Sequence, residues 1–253
     1  MAGDLADLKA RAERLRELHG GEMLVLPNVW DAASATVVAE AGFPAIATAS
    51  AAISAMLGHA DGERAPWQEM FAAAGWVARA VSVPVTVDAE AGYGMRPRDL
   101  VDRLLGIGAV GCNLEDTDHR AGGLVEAGAQ AQWLAAVRSA ADDAGVPIVI
   151  NARVDTFLST SGTPEPDRLT EAVRRGRLYR EAGADCIYPI GVRHRRDIAT
   201  LVREIPGPVN GNTGEHLDLV TLREVGVARV SYGPRFHRAA MANLKATIQE
   251  LLG

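Results

Sequence analysis

Lysine is almost missing from this chain. Only Lys9 and Lys245 occur, one near each end and both inside helix-like segments. A Schiff-base aldolase or a pyridoxal phosphate enzyme needs a lysine at a protected position, usually a strand end, so lysine-based covalent catalysis is not expected. Cysteine is equally scarce. Cys112 and Cys186 each sit in an apolar run rather than in a paired framework, which suits small core residues in a reducing compartment. No two of the six histidines share a strand end or an i,i+4 spacing, which argues against a histidine-rich zinc site. Positive charge is in deficit: the net charge of -6 argues against nucleic acid or an anionic membrane as a partner. No apolar run approaches the roughly 20 residues of a membrane helix. The start, Met1-Ala2-Gly3-Asp4, lacks a charged-then-apolar signal pattern, so the protein is expected to be cytoplasmic.

What is present is a regular alternation. Leu5, Leu8, Ala12, Leu15 and Leu18 mark an amphipathic helix over 4–19, stopped by Gly20-Gly21. Strands are then predicted over 23–29, 45–48, 83–87, 111–114, 147–151, 186–190, 208–210 and 229–232. Helices are predicted over 32–41, 67–80, 97–105, 129–144, 169–182, 196–204, 217–225 and 235–252, with a small-residue stretch after the second strand. Several helix-to-strand joints repeat one phrase, as in Glu40-Ala41-Gly42-Phe43 and Glu181-Ala182-Gly183-Ala184, where the glycine caps the helix. Eight strand–helix units at roughly 30-residue spacing imply a parallel sheet with right-handed crossovers. In about 250 residues they fit an α/β fold of the closed (β/α)8 barrel (TIM barrel) type, one domain over 1–253 with an extra N-terminal helix.

Such barrels carry their sites at the C-terminal mouths of the strands. Those mouths collect Asn28 and Asp31, Ala47 to Ser50, Asp88 and Glu90, Glu115 and Asp116, Asn151, Arg153 and Asp155, Asn210 and Asn212, and Tyr232. The opposite ends are proline, glycine or apolar. In Val83-Pro84-Val85-Thr86-Val87-Asp88-Ala89-Glu90-Ala91-Gly92-Tyr93-Gly94, residues two apart on a strand face the same way, so Asp88 and Glu90 are expected to project together. Crowded carboxylates need a proton, a base or a cation. Asp88, Glu90 and Glu115 together suit Mg2+, or Mn2+, held through few direct carboxylates and several waters. Arg153 could take a substrate carboxylate bidentately or could form an ion pair with Asp155 or Glu115. His119, in the polar loop 117–128, is a candidate acid/base, as are His237 and Tyr232.

These residues resemble the isocitrate lyase/phosphoenolpyruvate mutase superfamily over almost the whole chain. The marks, in order, are Leu26-Pro27-Asn28-Val29-Trp30-Asp31-Ala32-Ala33-Ser34-Ala35, then Leu57-Gly58-x-x-Asp61-Gly62 and Val87-Asp88-Ala89-Glu90-x-Gly92-Tyr93-Gly94. Asn113-Leu114-Glu115-Asp116 and Ile150-Asn151-Ala152-Arg153-x-Asp155 follow. The resemblance implies a Mg2+-dependent barrel acting on a small 2-oxo acid or related carboxylate through a metal-stabilised enolate. It makes Asp88 the principal metal ligand, with Asp61, Glu90 and Glu115 holding metal-bound waters. Arg153 with Ser50 and Ala51 would bind the substrate's carboxylate, and Trp30 and Asn210 join them as candidate substrate-binding residues. Catalytic roles fall to Arg153, His119 and Glu115. The resemblance also implies a homo-oligomer, dimer or tetramer.

The loop after the fourth strand departs from the pattern. The lyases carry Lys-x-Cys-Gly-His there and the mutases a lysine and an asparagine, whereas this chain has Thr117-Asp118-His119-Arg120-Ala121-Gly122-Gly123-Leu124-Val125-Glu126. The usual Ser-Gly pair after the second strand is Ser50-Ala51 here. A C–C lyase of the decarboxylase or retro-aldol type remains the leading expectation. C–P bond chemistry of the mutase or phosphonopyruvate hydrolase type is the alternative, and a non-catalytic metal-binding barrel the third.

Overall fold

The computed structural model describes residues 4–251; Leu252, the expected last residue of the final helix, lies outside them. Helix α1 (Leu5–Leu18), capped by Asp4, buries Leu8, Ala12 and Leu15 on one face. Pro27 then divides the first predicted strand into β1 (Leu24–Leu26) and β2 (Asn28–Val29), because its ring nitrogen has no hydrogen for a ladder. Next come α2 (Ala32–Glu40), β3 (Ile46–Thr48), α3 (Ser50–Leu57), α4 (Trp67–Ala80), β4 (Val85–Asp88) and α5 (Pro97–Gly106). They are followed by β5 (Gly111–Glu115), α6 (Ala127–Asp143), β6 (Val149–Val154), α7 (Arg168–Glu181) and β7 (Cys186–Pro189). The chain continues through α8 (Arg195–Glu204), β8 (Asn210–Asn212), α9 (Leu219–Glu224), β9 (Arg229–Ser231) and α10 (Arg235–Glu250).

The strands are parallel, in the orders β1-β9-β8 and β2-β3-β4-β5-β6-β7. The second run meets β8 through the parallel bridge Ile187–Val209, with the Ile187 N–H donating to the Pro208 carbonyl at 3.0 Å. With β1 and β2 acting as one stepped strand, the sheet closes into the expected (β/α)8 barrel, and the extra helix α1 precedes it. Val85, Val87, Leu114, Ile150, Ile187 and Val230 join one buried cluster that also takes in Leu8, Leu100, Val137 and Leu201 from the surrounding helices.

Helix α1 stops the N-terminal floor of the barrel. At Gly111 a Cβ would lie 2.8 Å from Leu15 Cδ2, 3.0 Å from Thr86 Oγ1 and 3.1 Å from the Val149 carbonyl oxygen. Gly111→Ala is therefore expected to push Leu15 out and cost about 1–3 kcal/mol, as overpacking does. Thermal denaturation checks this; an unchanged Tm would show that α1 is not seated against the floor.

Besides the divided first strand, three further differences from the sequence reading bear on the site. Helix α3 lies in the small-residue stretch; Ser50, Ala52, Ile53 and Ser54 are all buried, so no polar face existed to betray its period. Strand β6 runs to Val154, which places Arg153 within the strand rather than beyond it. Strand β8 begins at Asn210 instead of ending there. Helix α10 has no buried residue among those described, and Phe236, Met241, Leu244 and Ile248 are exposed along it. No helix among the described residues is long and apolar enough to cross a membrane.

Candidate active site

Asp88 closes β4, and its surroundings are built from two neighbouring segments. The Asp88 N–H donates to Thr48 Oγ1 at 2.9 Å, fixing the mouths of β3 and β4 together. Its Oδ2 accepts from the Ser50 N–H at 3.1 Å and Ser50 Oγ at 2.9 Å, at the first turn of α3. Ser50 thus serves Asp88, while Ala51 sits half-buried beside it. The other oxygen, Oδ1, is buried and has no hydrogen-bond partner among the described residues.

Glu90 does not project with Asp88 as a strand neighbour, because β4 has ended and the backbone turns to a φ of +49°. Glu63 and Tyr93 share this left-handed conformation, at +57° and +55°, and these three are the described non-glycine residues that adopt it. Each costs about 1–2 kcal/mol, and all three meet at one mouth, where such strain is typical of functional sites. The three interlock: Glu90 Oε1 accepts from Tyr93 Oη, Glu90 Oε2 from the Glu63 N–H, and Glu63 Oε1 from the Tyr93 N–H, each at 2.5 Å. Burial raises the Glu90 pKa, opposed by the Tyr93 and Glu63 hydrogen bonds and reinforced by Asp88 and Asp61. Asp61 is open to solvent on one side, yet its pKa is also raised, by the enclosing protein first and by Asp88 second. Glu63 was not singled out by the sequence, since no local spacing ties it to a residue 27 positions away.

Glu115, buried at the end of β5, stands between Arg153 and His119. Arg153 Nη1 pairs with Oε2, and His119 Nε2 lies 2.5 Å from Oε1. Burial pushes the Glu115 pKa up, against the pull of Arg153 and His119. The hydrogen bond to Glu115 raises the His119 pKa. Arg153 forms both ion pairs that its position allowed: Nε and Nη2 also donate to Asp155 at 2.6 and 2.7 Å. A guanidinium has five N–H donors, so these three contacts leave one on each Nη for a substrate oxygen.

The 117–128 loop is a small hairpin rather than an open strap. Thr117 bridges Leu124, the Asp118 N–H donates to the Gly123 carbonyl at 2.9 Å, and Val125 N–H to the Asp116 carbonyl at 2.9 Å. The hairpin presses His119 against Gly62 and Arg120 against Gly94. At Gly94, φ is +64° and a Cβ would lie 2.7 Å from Arg120 Nη2, so glycine is required on both counts. A cavity of about 420 Å3 opens there, lined by Glu63, Trp67, Tyr93, His119 and Arg120.

The far side of the mouth is a second cavity of about 530 Å3, lined by Tyr188, Arg193, His194, Asn212, His216 and Tyr232. Tyr188 Oη donates to Asn212 Oδ1 at 2.7 Å. Asn210 lies one layer lower: it is fully buried, its Oδ1 accepts from Asn151 Nδ2 and Ser231 Oγ, and its Nδ2 donates to the Gly211 carbonyl. The polar group that β8 brings to the mouth is Asn212. Trp30 is half-buried and packs edge-on against His237 at 5.1 Å, while Asn28 Oδ1 accepts from the Tyr232 and Gly233 N–H groups.

Among the described residues no three Asp, Glu, His or Cys side chains converge into a cation cage. The donor set fits a different mode, in which Mg2+ keeps most of its waters and takes one or two carboxylate oxygens directly. Asp88 Oδ1 is such an oxygen, buried and unpartnered, and the Asp61, Glu90 and Glu115 carboxyls at the same mouth have pKa values raised by burial first and by the Asp88 charge to a lesser degree.

Relatives repeat this chain almost from end to end. The family model described as phosphoenolpyruvate phosphomutase matches residues 15–252. An uncharacterized protein of Mycobacterium tuberculosis (strain ATCC 25618 / H37Rv) is 34% identical over 85% of this chain and 79% of its own length. An oxaloacetate decarboxylase of Bradyrhizobium sp. (strain BTAi1 / ATCC BAA-1182) is 30% identical over 89% of this chain and 80% of its own. A crystal structure from Burkholderia cenocepacia J2315, provisionally titled a phosphonomutase, superposes with a TM-score of 0.88 at 40% identity, covering 96% of this chain and 99% of that one. Sequence, barrel and mouth therefore agree, and the chain belongs to the phosphoenolpyruvate mutase family within the isocitrate lyase/phosphoenolpyruvate mutase superfamily.

Proposed function

We propose that this chain is a Mg2+-dependent lyase that cleaves a C–C bond of a small 2-oxo acid or related carboxylate, by decarboxylation or a retro-aldol step through an enolate. The observation that carries this reading is the buried, unpartnered Asp88 Oδ1 at the same mouth as Asp61, Glu90 and Glu115, beside an Arg153 that keeps two N–H groups beyond its ion pairs. Asp88 would hold the metal, or Mn2+ in its place, with Asp61, Glu90 and Glu115 bonding its waters. When bound, the metal would supply Lewis-acid polarisation of the substrate's oxo and carboxylate oxygens. Arg153 would seat a substrate carboxylate, with Ser50, Ala51 and Trp30 enclosing that side and Tyr188 and Asn212 the other. In decarboxylation the C–C bond breaks, its electron pair passes to the oxo oxygen, carbon dioxide leaves, and the carbon is reprotonated. His119, whose pKa is raised by its hydrogen bond to Glu115, would share a proton with that carboxyl and supply it at that mouth.

The oxaloacetate decarboxylase relative supports this reading. The 40% identity to the protein provisionally titled a phosphonomutase favours an alternative, C–P bond chemistry; against it, loop 117–128 lacks the mutase lysine and asparagine. A panel of oxaloacetate, 2-methylisocitrate and phosphonopyruvate with Mg2+, followed for pyruvate, phosphate and phosphoenolpyruvate, separates the readings. Chelator-sensitive pyruvate release from oxaloacetate is expected. Phosphate release from phosphonopyruvate, or its conversion to phosphoenolpyruvate, with oxaloacetate untouched would favour the alternative, and no turnover of any substrate would favour a non-catalytic barrel. We also propose a homo-oligomer, dimer or tetramer, in which a second copy covers the exposed apolar residues of α10. Light scattering should give at least twice the chain mass, and a monomer would overturn this.

A further inference from the structure

Below the acid-rich mouth, the barrel encloses a cation that the chemistry above leaves unused. Arg229, the first residue of β9, heads the fully buried side chains by volume among the described residues. A guanidinium removed from water normally stands against a carboxylate, since its charge is otherwise uncompensated. Arg229 does not. Its Nη2 donates to Asn113 Oδ1 at 3.2 Å, while Nε and Nη1 have no hydrogen-bond partner among the described residues.

An uncharged deck separates Arg229 from the mouth. Asn113 Oδ1 also accepts from Asn151 Nδ2 at 2.8 Å, the same Nδ2 reaches Asn210 Oδ1 at 3.2 Å, and Ser231 Oγ donates to Asn210 Oδ1 at 3.0 Å. Asn113 and Asp88 are paired Cα partners across β4 and β5. Arg229 therefore lies one hydrogen bond and one strand spacing (about 5 Å) from the carboxylate with the unpartnered oxygen. The other groups near it are neutral at pH 7. Burial pushes the Cys112 and Cys186 thiols up to about 12 and the Tyr188 phenol higher still, while burial and Arg229 itself push His19 down to about 4. Asp88 is the one carboxylate among the groups that act on Arg229 most strongly.

We propose that Arg229 is an electrostatic positioning residue: a buried positive charge beneath the mouth that loosens the hold on a divalent cation and tightens the hold on an anionic substrate and its enolate. The inference rests on the metal reading of the mouth. It differs from a packing role in sign, because removing a charge must move cation and anion affinities in opposite directions, whereas a collapsed mouth loses both. In a water-poor interior, a unit charge one or two strand spacings away changes such an equilibrium by about tenfold.

The test compares the wild type with Arg229→Met, Arg229→Gln and Arg229→Lys. Mn2+ affinity of the metal-free chain is measured by electron paramagnetic resonance, and oxalate affinity of the Mn2+-loaded chain by calorimetry. The Met and Gln variants should bind Mn2+ about tenfold more tightly and oxalate about tenfold more weakly. Arg229→Lys, whose buried ammonium gives up its proton where a guanidinium does not, should fall between wild type and the neutral variants on both. Should the neutral variants fail to fold, Asn113→Asp supplies a counter-charge with Arg229 in place and should shift both affinities in the same directions. Mn2+ binding that is weaker or unchanged in the neutral variants, or in Asn113→Asp if they do not fold, would overturn the role of Arg229. A wild type that binds no Mn2+ would instead overturn the metal reading on which it rests.

Discussion

Replacing Asp88 with alanine is expected to lower metal-dependent turnover by about a thousandfold or more while leaving the fold in place. The large effect on rate follows from position: Asp88 Oδ1 is the buried, unpartnered oxygen around which the metal reading is built. A preorganised electrostatic group at a developing oxyanion is worth about 3–4 kcal/mol, and loss of the metal removes more than one such interaction. The small effect on stability follows from the same place in the fold. Asp88 is half-buried at a strand mouth, and its removal frees the Ser50 N–H and Oγ, a loss of about 1–2 kcal/mol. Asp88→Asn should keep an acceptor for Ser50 and still lose turnover, separating charge from packing. The measurement is kcat with and without chelator, beside a thermal melt. Undiminished activity of Asp88→Ala in chelator would end the metal mechanism.

The largest loss of stability is expected at Asp116, next to Glu115 but turned the other way. Asp116 is fully buried and accepts from Arg175 Nη1 at 3.0 Å, Tyr179 Oη at 2.8 Å and the Asp155 N–H at 2.9 Å. Arg175 also donates to the Val125 carbonyl at 2.8 Å and pairs with Glu171, so one carboxylate ties the 117–128 hairpin to α7 and β6. Asp116→Ala leaves the buried Arg175 with only the partly exposed Glu171 as counter-charge and unpairs Tyr179 Oη and the Asp155 N–H, and breaking such a buried network costs about 3–5 kcal/mol. For a chain of this size that lowers Tm by roughly 6–20 °C. Turnover should fall with it, because Asp155, released on one side, is the group that aims Arg153 and holds Thr117. Chemical denaturation measures the loss. A change below about 1 kcal/mol would show that Arg175 is held without Asp116.

The signals that were legible in the chain are local ones. Hydrophobic runs bounded by glycine and proline marked all eight strand positions, and α1 was visible from three-to-four spacing alone. The acids at the strand mouths were visible because a carboxylate directly after an apolar strand is conspicuous, so Asp88, Glu115 and Arg153 were placed at one end before any contact was known. Ser50 was named for substrate, yet its two donors are committed to Asp88, 38 positions away. Asn210 and Asn212 both fall at the mouth by the apolar pattern, yet β8 starts two residues later than that pattern suggests, so Asn210 lies one layer lower and Asn212 stands at the mouth. Helix α3 is invisible in the sequence because its two polar residues, Ser50 and Ser54, are buried and its exposed position is Ala55, so no polar face marks a period.

Taken alone, the sequence determined the architecture and the chemical character of one face, since strand alternation and helix periodicity are properties of neighbouring residues. Tertiary structure decided the allegiance of each charge: Glu90 to Tyr93 and Glu63, Arg153 to Asp155 and Glu115, Asp116 to Arg175 and Tyr179. It also decided that, among the described residues, Arg229 would stand without a hydrogen-bonded carboxylate, its one side-chain partner lying 116 residues back along the chain. The energy of a charge depends on what surrounds it after burial, and barrel closure brings those surroundings together from every part of the sequence.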